Sequence, residues 1–196
     1  MGALLAAVSL LGGVNAFLLR IGRGIGVFAI AMMVVAILIQ VFFRYVLNNA
    51  LPWPDEAARF CMLWMAGLMA PTAFRRGGFV AIDMFGHLLP KALGELVHLF
   101  LLVISLLVLV VAFQIGWSEV NGFGGRFATA SLYVPIDVTF SEWMRVPRKW
   151  MMMSLFVGVG LLILVNIELV LRSIIRLFGG SEKLPQIADA DMAGAE

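Results

Sequence analysis

Charge is scarce in this chain. Only 13% of its 196 residues are Asp, Glu, Lys or Arg, against 62% hydrophobic residues. A soluble domain of this size could not keep so much apolar surface out of water, so the surplus needs lipid as a second apolar solvent. Cysteine is nearly absent. The single Cys61 excludes an internal disulfide, a CxxC redox pair and a thiolate metal cluster. It sits inside an apolar run and reads as a small lipid- or helix-facing residue. Histidine is equally rare: His87 lies in a loop before Pro90, and His98 stands near a helix entrance. Axial ligands of a b-type haem must converge at one depth in the bilayer, which these positions do not favour. No set of His and carboxylates stands at metal-ligand spacing, and no Ser-His-Asp set or phosphate-binding glycine loop can be placed. Gly122-Phe123-Gly124-Gly125 therefore reads as loop flexibility. The net charge of +2 does not point to nucleic acid, because the basic residues flank apolar runs instead of forming a stripe.

What the chain does have is long uncharged runs, and these predict an all-α membrane protein with four transmembrane helices. The first span is expected at about 24–44, between Arg23 and Arg44, with Gln40 as its one strongly polar residue. Gly24 and Gly26 would permit close helix contact there. The second, at about 55–75, follows Leu51-Pro52-Trp53-Pro54, a segment hostile to regular helix. Pro54, Asp55 and Glu56 suit a helix start, since proline fits the first turn and carboxylates meet the positive end of the dipole. Pro71 is positioned to kink the last turn. The third and fourth spans are expected at about 93–118 and 149–176. Trp117 and Trp150 border the loop that joins them, where aromatic belts belong.

The ends carry less signal. Residues 1–22 are apolar but broken by Ser9, Gly12, Gly13 and Asn15, and are expected as an interfacial segment, with a cleaved signal or a fifth span as the alternatives. The membrane domain is then 23–178, and the small, polar, acidic stretch 179–196 reads as a flexible tail. Arg20, Arg23, Arg75, Arg76, Lys91, Arg172, Arg176 and Lys183 fall on one side. Arg44, Arg126, Arg145, Arg148 and Lys149 fall on the other, offset by Glu119, Asp137 and Glu142. The balance favours both termini in the cytoplasm.

Ionisable groups within membrane spans are the usual marks of an ion or proton path, and here they are nearly missing. Gln40, Gln114 and Asn166 read as interhelical hydrogen-bonding groups. Glu168 and Arg172, four apart, read as a local pair near the membrane surface. One constellation stands out. Arg44 closes the first span, while Asp55, Glu56 and Arg59 open the second, with Asp55 and Arg59 four apart on one face. The Pro-rich turn brings them together, either as a neutral clamp at the membrane surface or as a docking surface for a partner protein. An isolated buried charge would be costly, so all four are expected to be paired.

At these residues the sequence resembles a known family, the small membrane subunit of tripartite ATP-independent periplasmic (TRAP) transporters, the DctQ-like proteins. The resemblance rests first on Phe43-Arg44-Tyr45-Val46-Leu47-Asn48. Trp53, Glu56, Ala58 and Arg59 continue it, followed by Trp64, Gly67, Arg75-Arg76-Gly77 and Val80 to Asp83. Ser131-Leu132, Val134-Pro135, Val146-Pro147 and Trp150 extend it to the last span. It covers about Gly26 to Leu177. Pro54 departs from the family's Ser or Thr, so the usual helix cap is missing. Phe79 stands where histidine is frequent, and Asp137 to Arg145 looks like an insertion.

The resemblance implies a chain without catalytic groups or cofactors of its own. It would brace a large membrane subunit that holds the substrate and sodium sites, and would help a soluble periplasmic binding protein to dock. The transported substrate would be an organic acid. Arg44, Trp53, Asp55, Glu56, Arg59, Arg75, Arg76 and Asp83 are the candidate interface and clamp residues on this reading, and the loop 119–149 is the candidate contact for the binding protein. A membrane-anchor subunit of a redox or haem complex and a stand-alone channel or carrier are the competing readings. A Soret band would mark the first, and substrate flux through liposomes containing only this chain would mark the second.

Overall fold

The computed structural model describes residues 2–76, 91–135 and 143–178. It contains four long helices: α1 Gly2–Tyr45, α2 Trp53–Arg75, α3 Lys91–Asn121 and α4 Lys149–Leu177. Each is long and apolar enough to cross a membrane. The four expected spans all fall on these helices. Between α3 and α4 a short 3-10 turn, Phe123–Arg126, leads into an antiparallel hairpin of β1 Ala128–Pro135 and β2 Trp143–Pro147. The loop expected at 119–149 thus contains regular structure. Its Asp137 lies outside the described residues, whereas Trp143 to Arg145 form part of β2.

α1 differs most from its sequence-based expectation. Residues 2–22 and the first span form one unbroken helix of 44 residues, about 66 Å long at 1.5 Å per residue. The hydrocarbon core of a bilayer is only about 30 Å thick. No proline interrupts the run, and the glycines that looked like breaks sit instead on the face that packs. Val8, Gly12, Asn15, Leu19, Gly22, Gly26, Ala29, Ala36 and Gln40 are buried along it. Most steps between them alternate four and three residues, the 3.5-residue rhythm of a left-handed helix seam. Small side chains let the neighbouring helix come close: a Cβ on Gly22 would meet the carbonyl oxygen of Leu68 at 3.4 Å, and one on Gly26 would strike the Met69 side chain.

α1 ends at Tyr45, and Asn48 follows with φ of 51°, a left-handed conformation that Asn tolerates better than most residues. The chain then reverses, and α2 runs back along α1. Pro52 precedes its first residue without any side-chain cap, and Asp55 and Glu56 occupy the first turn. Carboxylates near the dipole's positive end offset the missing cap. Pro71 lies inside α2, buried, and the helix continues through it to Arg75.

α4 is the centre of the bundle and touches the other three helices. Its crossing with α2 is backbone on backbone: a Cβ on Gly67 would lie 2.5 Å from the Ser154 carbonyl oxygen, and one on Gly158 would lie 2.6 Å from the Gly67 carbonyl oxygen. Such contact is what small residues permit where lipid offers no hydrophobic drive for helix association. α3 rests on α4 through Phe113 and Trp117, whose rings lie 4.4 and 5.5 Å from that of Phe156. Asn166 on α4 donates to the Ser105 hydroxyl on α3 at 3.0 Å. One face of α3, with Leu96, Phe100, Val103, Leu107 and Val111, is exposed and apolar. That surface fits lipid or another membrane protein.

Candidate functional site

Two carboxylates, one at each end of α2, organise the polar contacts of the chain. The first is Glu56, in the first turn of α2. Its Oε1 accepts the backbone N–H of Ala130 at 2.9 Å, and its Oε2 accepts that of Ser131 at 2.6 Å. The Ser131 hydroxyl lies 2.6 Å from the same Oε2 and 2.8 Å from the Pro52 carbonyl oxygen. With one proton, that hydroxyl donates to only one of them at a time. A single carboxylate therefore ties the start of α2 to the hairpin.

The expected four-residue clamp does not close around it. Asp55 accepts instead from Gln40 Nε2 of α1, at 3.3 Å. The Arg44 guanidinium carbon sits 5.9 Å from the centre of the Tyr45 ring. Arg59 is exposed on α2. Among the described residues neither arginine forms an ion pair with Asp55 or Glu56. The physical reason is competition: two rigid backbone amides held by the hairpin demand less ordering of Glu56 than a long, solvated arginine would. Trp53, the first residue of α2, keeps 37% of its surface exposed. Arg76 comes directly after the helix, and its backbone N–H donates to the Thr72 carbonyl at 3.2 Å. Asp83 lies outside the described residues.

The second carboxylate is Glu168 of α4, fully buried. The pair with Arg172 one turn along is present, with 2.8 Å from Nη2 to Oε1. It is one part of a larger cluster. Arg75, from the end of α2, donates through Nε at 3.1 Å to Oε2 and through Nη2 at 2.9 Å to Oε1. Asn15 of α1 donates to Oε2 at 2.7 Å and also lies 3.2 Å from the Leu164 carbonyl oxygen. Arg75 Nη2 reaches the Gly12 carbonyl of α1 at 3.0 Å. Gly12 leaves room for the cluster: a Cβ there would stand 3.2 Å from Glu168 Oε1, so the carboxylate would have to shift. Three helices are joined through one carboxylate. Forked guanidinium pairing of this kind is the strong, directional form of a charge-assisted bond.

Sequence reasoning singled out Arg75 and the Glu168–Arg172 pair but did not connect them. It read Asn15 as an interruption, whereas its amide belongs to the cluster. The available signal was an Asn among glycines at seam spacing, together with a glutamate inside an apolar run. Among the described residues no group of three or more His, Cys, Asp or Glu converges as a metal site. His98 is half-buried on α3, and His87 lies outside the described residues.

Four apolar helices, with buried charges paired to one another and used to hold helix to helix, define a polytopic α-helical membrane protein. The family model for the DctQ component of tripartite ATP-independent periplasmic transporters matches residues 32–176. The match takes in well over half of the chain, and the chain belongs to that family, a family of transporter components. No curated protein matches it.

Proposed function

We propose that this small subunit braces the large sodium-coupled membrane subunit of its transporter and helps a periplasmic substrate-binding protein to dock during organic-acid uptake. Both termini face the cytoplasm on this reading, and the complex sits in the bacterial inner membrane. Substrate and sodium are handled by the large subunit, and this chain takes no cofactor.

One observation supports the brace above the others. The buried ion pairs Arg75–Glu168 and Arg172–Glu168 close on a single carboxylate and, with the hydrogen bonds of Asn15 and the Gly12 carbonyl, tie α1, α2 and α4 together, where a conducting protein would string its charges along a path. The broad apolar surfaces of α1 and α3 offer area for a membrane partner. The experiment is a mild-detergent pull-down of the tagged chain from its native membrane, with the co-purifying proteins identified by mass spectrometry. Recovery of a large polytopic protein is expected. Reproducible recovery of the folded chain alone, with substrate flux through liposomes holding only this chain, would overturn the reading.

A further inference from the structure

The hairpin between α3 and α4 has a defect in its ladder, and the defect is where Glu56 binds. Tyr133, Val134 and Pro135 of β1 pair with Arg145, Met144 and Trp143 of β2, and Ala128 pairs with Pro147. Between these two registers, Thr129 to Leu132 face only Val146. This is an extended bulge, and the ladder cannot satisfy all of its backbone groups. Unpaired amides need another acceptor. Thr129 serves the bulge from within, its hydroxyl lying 2.8 Å from the Val146 carbonyl oxygen. The N–H groups of Ala130 and Ser131 turn the other way, to the two oxygens of Glu56. Arg148 N–H closes the base of the hairpin on the Phe127 carbonyl at 2.9 Å.

We infer that Glu56 is a latch: it replaces the missing ladder partner of the β1 bulge and fixes the pose of the hairpin against the start of α2. The fit is chemical as well as geometric. Two adjacent N–H groups and a hydroxyl form a small anion-binding concavity, and a carboxylate with two oxygens fills it. Glutamine offers one acceptor oxygen and turns an NH2 group towards a donor. Alanine offers nothing. The hairpin itself presents exposed Tyr133, Val134, Trp143 and Met144, with the Arg145 guanidinium lying against the Tyr133 ring and bonded to its hydroxyl at 2.9 Å. A surface of aromatic residues and arginine has the composition of a protein contact. On the function proposed for this subunit, its partner is the soluble binding protein, and Glu56 acts as a positioning residue for that encounter.

The test uses the complex of this chain with its large subunit, purified as wild type, Glu56→Ala and Glu56→Gln. Hydrogen exchange monitored by mass spectrometry reads the peptide spanning residues 128–135. Glu56→Ala is expected to speed its exchange at least tenfold, and Glu56→Gln by less, while peptides from α2 and α4 keep wild-type rates. Binding of the system's soluble binding protein to the complex in nanodiscs is expected to weaken several-fold in the same order. Unchanged exchange at 128–135 would overturn the latch. Accelerated exchange throughout α2 would also overturn it, since Glu56 would then serve helix stability. Faster hairpin exchange with unchanged binding would overturn the docking role alone. Failure of any large subunit to co-purify with the wild-type chain would count against the subunit reading itself.

Discussion

Glu56 and Glu168 are the same residue in two settings, and the contrast separates two uses of a carboxylate. Glu168 is buried in the helix bundle, and its partners are charged or amide side chains from three helices. Glu56 is only partly buried, and two of its donors are backbone amides of a hairpin outside the bundle. The first holds elements that are stable only together. The second holds a hairpin to one end of α2. In a membrane the distinction sharpens, because a charge cannot retreat to water from a site such as that of Glu168.

The sharpest way to break the comparison is to remove each carboxylate. Glu168→Ala leaves two buried guanidinium groups without this anion, and breaking such a pair costs about 3–5 kcal/mol. Loss of most folded protein is expected, read as the yield of monodisperse chain in detergent and its thermal unfolding. Removing the cations one at a time sharpens the inner half. Arg75→Met, which breaks contacts to both α4 and α1, is expected to cost about 3 kcal/mol. Arg172→Met, which breaks a contact within one helix, should cost about 1–2 kcal/mol. Equal losses would mean that Glu168 does not act chiefly between helices. Glu56→Ala should lower global stability by about 1 kcal/mol or less, because the hairpin opens locally. A loss as large as that of Glu168→Ala would erase the contrast. Smallest is Arg59→Ala, expected within about 0.5 kcal/mol of wild type in the same unfolding assay.

The sequence made the helices legible and most of their partners illegible. Uncharged runs locate the spans because lipid sets their length, and α4 at Lys149–Leu177 nearly coincides with the expected 149–176. The same reasoning cut α1 short: Gly12, Gly13 and Asn15 weaken an apolar run, and only packing shows that Gly12 and Asn15 face α4 and the end of α2. Glu56 was visible as a helix-start carboxylate, but two of its donors are main-chain amides at 130 and 131, which have no letter in the sequence, and the Ser131 hydroxyl lies 75 positions away. Glu168 and Arg75 lie 93 positions apart, beyond any local spacing rule. The hairpin carried a weak local signal in Thr129, Tyr133 and Val134, residue types that favour strands, but the long loop around it hid that signal.

The crossing of Gly67 and Gly158 has a consequence for movement. The residues one turn away on α4 are Ser154 and Leu162, and those on α2 are Leu63 and Pro71. All four carry side chains, whereas even a Cβ at Gly67 or Gly158 would come within 2.6 Å of a backbone oxygen of the opposite helix, so the two glycines set where α2 and α4 cross. Sliding by a turn would have to lift the helices apart before they could settle again. The two helices are thus locked in register, as in a bolted joint.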